Sequence, residues 1–390
     1  MLTSSSVLDR VALATLTAIG IVAALAPKGA VVVLIISAVA ANRRVLPSHF
    51  RLWRSLLGRP FSLSLAAALM WAGIASTFSP SPAESIGLCL RVVALFVVGA
   101  VAWAGLASLA VDEPKAFRSA VMAGAVLGLI ALLMRAATIT IFATDPDGSP
   151  GHEPWAALNA GASVLVILFW PAVVVACRER KVSMVALLVS GMAAVLVVVP
   201  SGAALAAMGA AAIAFGLSRV TLRLTVECLG VSLAVAIVAA PLVFGHGATV
   251  LLRTEVSDSI PQSWQHRLHI WKFVGDRIAE KPLVGWGFDS SRAIPGGKAA
   301  TAIGGERLPL HPHNAPLQVW LELGLVGAIL TTAALLVGFR LSIAATDLAM
   351  ISSYAVSALV SFGLWQNWWI AVAWLMAGIA SAEHPRTNPV

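Results

Sequence analysis

The chain predicts an all-α polytopic membrane protein of about twelve transmembrane helices. Three observations carry this. Mean hydropathy is +0.90 and only 11% of the 390 residues are charged. Apolar runs of membrane-spanning length recur along the whole chain. Lys and Arg gather in alternate connections, as in a chain threaded back and forth across a bilayer.

Read by apolar run length, the spans fall at roughly 11–26, 29–41, 61–78, 88–110, 117–141, 156–177, 182–199, 202–217, 224–244, 314–338, 347–362 and 364–382. The second is so short that it reads as a hairpin partner of the first across Pro27-Lys28-Gly29. Residues 1–26 lack a small-residue cleavage site after a short apolar core, which predicts an uncleaved first helix. The chain thus divides into 1–244 with nine helices, a long loop 245–313, and 314–390 with three more. Pairing the connections by charge orients it. Arg10, Arg43, Arg44, Arg51, Arg54, Arg59, Lys115, Arg118, Arg178, Arg180, Lys181, Arg219, Arg223, Arg340 and Arg386 make fifteen of the 26 basic residues on one side. The opposite short connections hold only Lys28, and 142–155 carries Asp145, Asp147 and Glu153. The expectation is that both termini are cytoplasmic and the long loop lies outside.

Composition excludes other classes. The net charge of +8 is spread over short loops between spans, a topology signal and not a nucleic-acid footprint. Cys89, Cys177 and Cys228 lie in apolar runs without CxxC spacing and read as small core residues. No inverted repeat suggests a transporter, and the charges expected inside spans are Arg91, Arg135 and Glu227.

The long loop carries eight basic residues, Arg253, Arg267, Lys272, Arg277, Lys281, Arg292, Lys298 and Arg307, against six acidic ones. Residues 264–278 read as an amphipathic helix that Pro282 stops, followed by a turn at Gly285-Trp286-Gly287. Two readings stand side by side: a helix lying on the outer leaflet, or a cap whose cations hold an anionic substrate over a site in the bundle. At the far end of the loop, His311-Pro312-His313-Asn314 runs straight into an apolar helix. Ionisable groups at such a boundary cost free energy and mark a candidate site. His313 suits a general base, and the planar fork of Arg267 suits phosphate oxygens. Arg91 and Arg135, near the outer ends of their spans, are further anion-binding candidates or snorkelling side chains. His266, His269, His311 and His313 were weighed as a zinc set, but no carboxylate or cysteine is placed to join them, and no metal site is assigned. Gly324 and Gly327 give a small-residue face for close helix packing. Trp365, Trp368 and Trp369 read as an interfacial belt, with Gln366 and Asn367 between them able to hydrogen-bond a sugar.

His313-Asn314, nine residues, then Gly324-Leu325-Val326-Gly327 resembles the signature of the bacterial O-antigen ligase and polymerase superfamily, which includes pilin oligosaccharyltransferases. Arg267, Trp271 and Lys281-Pro282-Leu283-Val284-Gly285-Trp286-Gly287 resemble its outer-loop block. The likeness covers the whole architecture, with specific motifs only over about 264–327. It implies a cofactor-free, metal-independent glycosyltransferase of the bacterial inner membrane with its site facing the periplasm. The implied donor is a glycan on undecaprenyl diphosphate and the implied acceptor a lipid A-core sugar. By that resemblance His313 is the base, Arg267 binds the donor diphosphate, and His311, Asn314, His266 and Gln366 support them. The ligase is the reading preferred; a polymerase of the same superfamily, or a non-catalytic transporter or lipid-binding membrane protein, are the alternatives. One departure stands out: where many ligases carry Ser-Arg-small, this chain has Pro200-Ser201-Gly202-Ala203-Ala204, so Arg91 and Arg135 are the expected stand-ins.

Overall fold

The computed structural model describes residues 7–45, 60–142, 152–339 and 343–380. Arg51, Arg54, Arg59, Asp145, Asp147, Arg340 and Arg386, used above for orientation, lie outside the described residues. The order of helices is α1 (Val7–Leu25), α2 (Ala30–Val45), α3 (Pro60–Ser76), α4 (Pro82–Asp112), α5 (Pro114–Phe142), α6 (His152–Arg178), α7 (Val182–Val198), α8 (Gly202–Val220) and α9 (Leu222–Val238). The long loop holds a π-helical turn Pro241–His246, then α10 (Gly247–Leu251), α11 (Val256–Ser259) and α12 (Gln262–Glu280). The chain ends with α13 (Ala315–Gly338), α14 (Ala345–Val360) and α15 (Asn367–Ala380). Among the described residues there is no strand, only an isolated bridge between Ala300 and Glu306.

Each apolar run is therefore a helix, and the all-α polytopic expectation holds. The number of crossings does not follow so simply. Among the described residues six helices are long and apolar enough to cross a membrane, seven if α9 and the segment Pro241–Leu251, bent by 63°, count as one. Five others, among them α3, α7, α14 and α15, are apolar but shorter than that.

The bundle closes through small residues. A Cβ added to Gly20 of α1 would lie 1.8 Å from the carbonyl oxygen of Gly124 in α5, so these backbones touch directly. At the end of α1, Arg135 of α5 donates to the carbonyls of Ala24 and Leu25, each at 2.8 Å. These are orphan acceptors of a helix C-terminus, and the guanidinium caps them. Arg135→Ala is expected to cost about 2 kcal/mol of stability, read as a lower detergent melting temperature.

Two expectations need correction. Of the three cysteines only Cys89 is buried; Cys177 and Cys228 are exposed, because a helix that is apolar all round does not reveal which face looks inward. The tryptophans are not a belt: Trp369 is fully buried, stacked on Tyr354 with centroids 4.3 Å apart, and Trp365 points at a buried carboxylate.

The loop has its own core. Leu268, Ile270, Trp271, Phe273, Val274 and Ile278 of α12 pack with Ile294, Leu308, Leu317 and Leu321. Protein, not lipid, covers the apolar face of α12, and that face seals the loop onto the start of α13.

Candidate active site

The site is built on a break in α13. Gly324 sits at φ 64°, ψ −161°, outside helical space. The loop segment after α12 inserts there: Trp286 N donates to Leu321 O at 2.8 Å and Gly287 N to Glu322 O at 3.0 Å. In return Leu325 N reaches Pro282 O at 2.9 Å and Val326 N reaches Leu283 O at 3.2 Å. The indole of Trp71, on α3, takes the remaining carbonyl, Leu323 O, at 2.9 Å. Five backbone groups at the break, three carbonyls and two N–H groups, are thus paired by other segments, which is what a break in an apolar helix needs. The close approach at Gly324 is thus by loop backbone and not by a neighbouring helix.

Above the break, the loop brings two histidines to the N-terminus of α13. Asn314 is the N-cap, its Oδ1 accepting from Leu317 N at 2.9 Å. His313 is left-handed, φ 52°. The indole of Trp271 donates to Pro312 O at 3.0 Å and ties this turn to α12. His313 Nδ1 lies 2.6 Å from Ser361 O. A carbonyl only accepts, so Nδ1 carries the proton and Nε2 of the neutral ring keeps its lone pair. Burial, opposed only in part by the Ser361 hydrogen bond, holds this ring down to about 4. His311 stacks beside it, centroids 4.3 Å apart, its Nδ1 accepting from His313 N at 3.2 Å and its Nε2 3.0 Å from the Gln366 amide. Burial pushes His311 well down as well, with the neighbouring His313 and Arg292 adding to it.

The cations divide. Arg267 is half-buried, its guanidinium 4.8 Å above the Trp264 ring, and its Nε has no hydrogen-bond partner among the described residues. It acts electrostatically on His313 together with His266, whose Nε2 donates to Glu306 O at 2.8 Å. Desolvation lowers the Arg267 pKa from its ordinary value. Among the described residues no carboxylate pairs with it, and a planar guanidinium of this kind suits phosphate oxygens. Arg91 is exposed, bonded to Gly87 O at 3.1 Å, and acts on Asp289. Arg135 is engaged elsewhere, with the end of α1.

Sequence reasoning missed Glu322. It was not among the charges expected inside spans, yet it is completely buried in α13. Its Oε2 accepts from Asp289 N at 2.8 Å and Trp365 Nε1 at 2.7 Å. Its Oε1 accepts from Ser291 Oγ at 2.5 Å and Gln318 Nε2 at 3.0 Å. The available signal was spacing: Asn314, Gln318 and Glu322 recur every four residues, on one helix face. Arg292 was missed too; it pairs with Asp289 at 3.1 Å. Among the described residues no three His, Cys, Asp or Glu converge as a metal-binding group, and His266, His311 and His313 each have a ring nitrogen hydrogen-bonded within the protein.

Residues 186–332, from α7 to within α13, match the family model described as O-antigen ligase. Over that stretch the chain is similar to the O-antigen ligase family. Relatives bear the name "Putative polysaccharide ligase". One from Rickettsia conorii is 29% identical over 228 residues, covering 55% of this chain and 54% of its own. One from Rickettsia felis is 28% identical over 228 residues, 55% of each chain. One from Rickettsia bellii is 40% identical over 118 residues, 27% of this chain and 29% of its own. The chain spans about half the length of the first two relatives. No solved structure matches.

The departure at Gly202 now has a place in the fold. Ser201 caps α8, its Oγ accepting from Ala204 N at 3.3 Å. A Cβ on Gly202 would lie 3.8 Å from Trp264 Nε1. The position without its arginine therefore abuts the indole on which Arg267 rests.

The histidines make stability depend on pH. Both pKa values are lowered on folding, that of His313 to about 4, so the unfolded chain binds more protons as pH falls below about 6.5. Stability is therefore expected to fall as pH drops through that window, by up to about 1.4 kcal/mol per unit for each ring. Comparing melting temperatures of wild type and His311→Gln across this range checks it; the variant should show the shallower slope.

Proposed function

We propose that the chain transfers a finished glycan from undecaprenyl diphosphate to a sugar hydroxyl of the lipid A-core, at the periplasmic face of the bacterial inner membrane. The observation that supports this is the base-competent Nε2 of His313 within electrostatic reach of Arg267, whose Nε has no hydrogen-bond partner among the described residues. Nε2 takes the proton of the acceptor hydroxyl as its oxygen attacks the anomeric carbon. The bond from that carbon to the diphosphate breaks, and the carrier leaves with the charge. Arg267 meets that growing negative charge in a water-poor setting, where a fixed cation is worth most. Arg91, with Arg292 near Asp289, serves the outer end of the same path. Arg135 is held at the end of α1 by the carbonyls of Ala24 and Leu25.

The test is the lipopolysaccharide banding pattern of a strain lacking the gene, with the lipid-linked donor pool blotted alongside. Loss of glycan-bearing bands with accumulation of long lipid-linked chains is the expected result. Core carrying a single repeat, without long carrier-linked chains, identifies a polymerase instead, and an unchanged pattern overturns both. In the complemented strain, Arg267→Lys keeps the charge but not the planar fork; the donor KM is expected to rise by about tenfold or more.

A further inference from the structure

Glu322 is a buried acid in an apolar helix with no cation among its hydrogen-bond partners, and nothing in the transfer chemistry needs it as a reactant. Such a group is costly to bury, and an apolar side chain of its volume would do as well for packing alone. Its partners explain why it is an acid. Asp289 N, Trp365 Nε1 and Gln318 Nε2 can only donate, and Ser291 Oγ joins them. A carboxylate is the side chain with lone pairs for four donors at once. Gln318 has no freedom to turn round, since its Oε1 accepts from Leu364 N at 2.8 Å.

We propose that Glu322 is the positioning residue of this site. It fixes the Asp289–Ser291 turn on one side and the connection 361–366 on the other. That connection supplies both holds on the histidines: Ser361 O, which accepts the hydrogen bond from His313 Nδ1–H, and Gln366, which meets His311. Glu322 therefore sets the tautomer and pose of His313 without touching substrate. The assignment rests on His313 being the base, as proposed above.

The consequence is readable at His313 itself. The charged and titratable groups acting on its ring are Arg267 and His266 from α12 and the adjacent His311; none moves in a Glu322→Gln variant except through the connection. Gln at 322 offers one oxygen and turns its NH2 against a donor, releasing Gln318 and Leu364. His313 then loosens towards water, and its midpoint should rise by about one unit or more.

The experiment labels histidines of the purified, intact protein with diethyl pyrocarbonate between pH 4 and 8 and reads His313 by mass spectrometry. Glycan transfer is measured in parallel. Glu322→Gln is expected to raise the His313 labelling midpoint and to lower kcat by about a hundredfold, with the donor KM within about threefold because Arg267 and Trp264 lie outside the network. An unchanged midpoint, with only folded yield or melting temperature reduced, overturns the proposal. Should Glu322→Gln fail to fold, Trp365→Phe removes one donor; it should shift labelling the same way by less, and no shift overturns the proposal equally. Absence of transfer by the wild type would sink the proposed function, whereas the labelling result still judges the hold on His313.

Discussion

His313→Ala is expected to lower glycan transfer by about 10²–10⁴-fold while leaving the amount of folded protein unchanged. A sugar hydroxyl is a poor nucleophile, and the Nε2 lone pair removes its proton as the bond forms. The loss should fall on kcat, because Arg267 still binds the donor. His313 is left-handed, φ 52°, so Ala would exchange one residue strained there for another. His313→Asn is the cleaner variant, since Asn tolerates that backbone but has no basic nitrogen. Equal loss in both, at equal expression in membranes, assigns the effect to the base. Retention of transfer by either would exclude His313 from the chemistry.

Gly324→Ala is expected to prevent the site from forming at all. The φ 64°, ψ −161° backbone belongs to a region that is essentially glycine's alone, costing other residues about 1–3 kcal/mol. The added Cβ would lie 2.4 Å from Leu283 O and 2.6 Å from Gly285 N. Both are backbone atoms of the inserted segment, which has nowhere to retreat because it is bonded to α13 from both sides. Folded protein should fall severely, seen as loss of a monodisperse peak in detergent. Gly209→Ala and Gly216→Ala in α8 are the controls. A Cβ there meets nothing within 4 Å, and the helix should gain about 0.5–1 kcal/mol.

The broad architecture was legible because bilayer solvation writes it into composition: an apolar run long enough to be helical is helical. α12 was legible for a second reason, since Trp271, Val274 and Ile278 recur at helical spacing among charges and Pro282 follows. What stayed hidden depends on contacts between segments far apart in the chain. Nothing near residue 324 says that 282–287 will insert there, so Gly324 read as a packing face. Glu322 sits within an apolar run and was passed over; its four donors come from positions 289, 291, 318 and 365, and only the one at 318 is close in sequence. The positions of the arginines were equally opaque. Arg135 and Arg91 look alike in the sequence, yet one caps a helix and the other faces Asp289.

The break in α13 also bears on how the chain is made. Its freed carbonyls at Leu321, Glu322 and Leu323 are met by Trp286, Gly287 and Trp71. All three donors precede α13 in the chain, so in vectorial synthesis the partners exist before the helix that needs them. α13 never has to enter lipid with bare carbonyls and wait for later sequence to cover them. Had the inserting segment followed α13, the nascent helix would have spent its first moments either unbroken, with Gly324 forced helical, or with its polar backbone open to hydrocarbon.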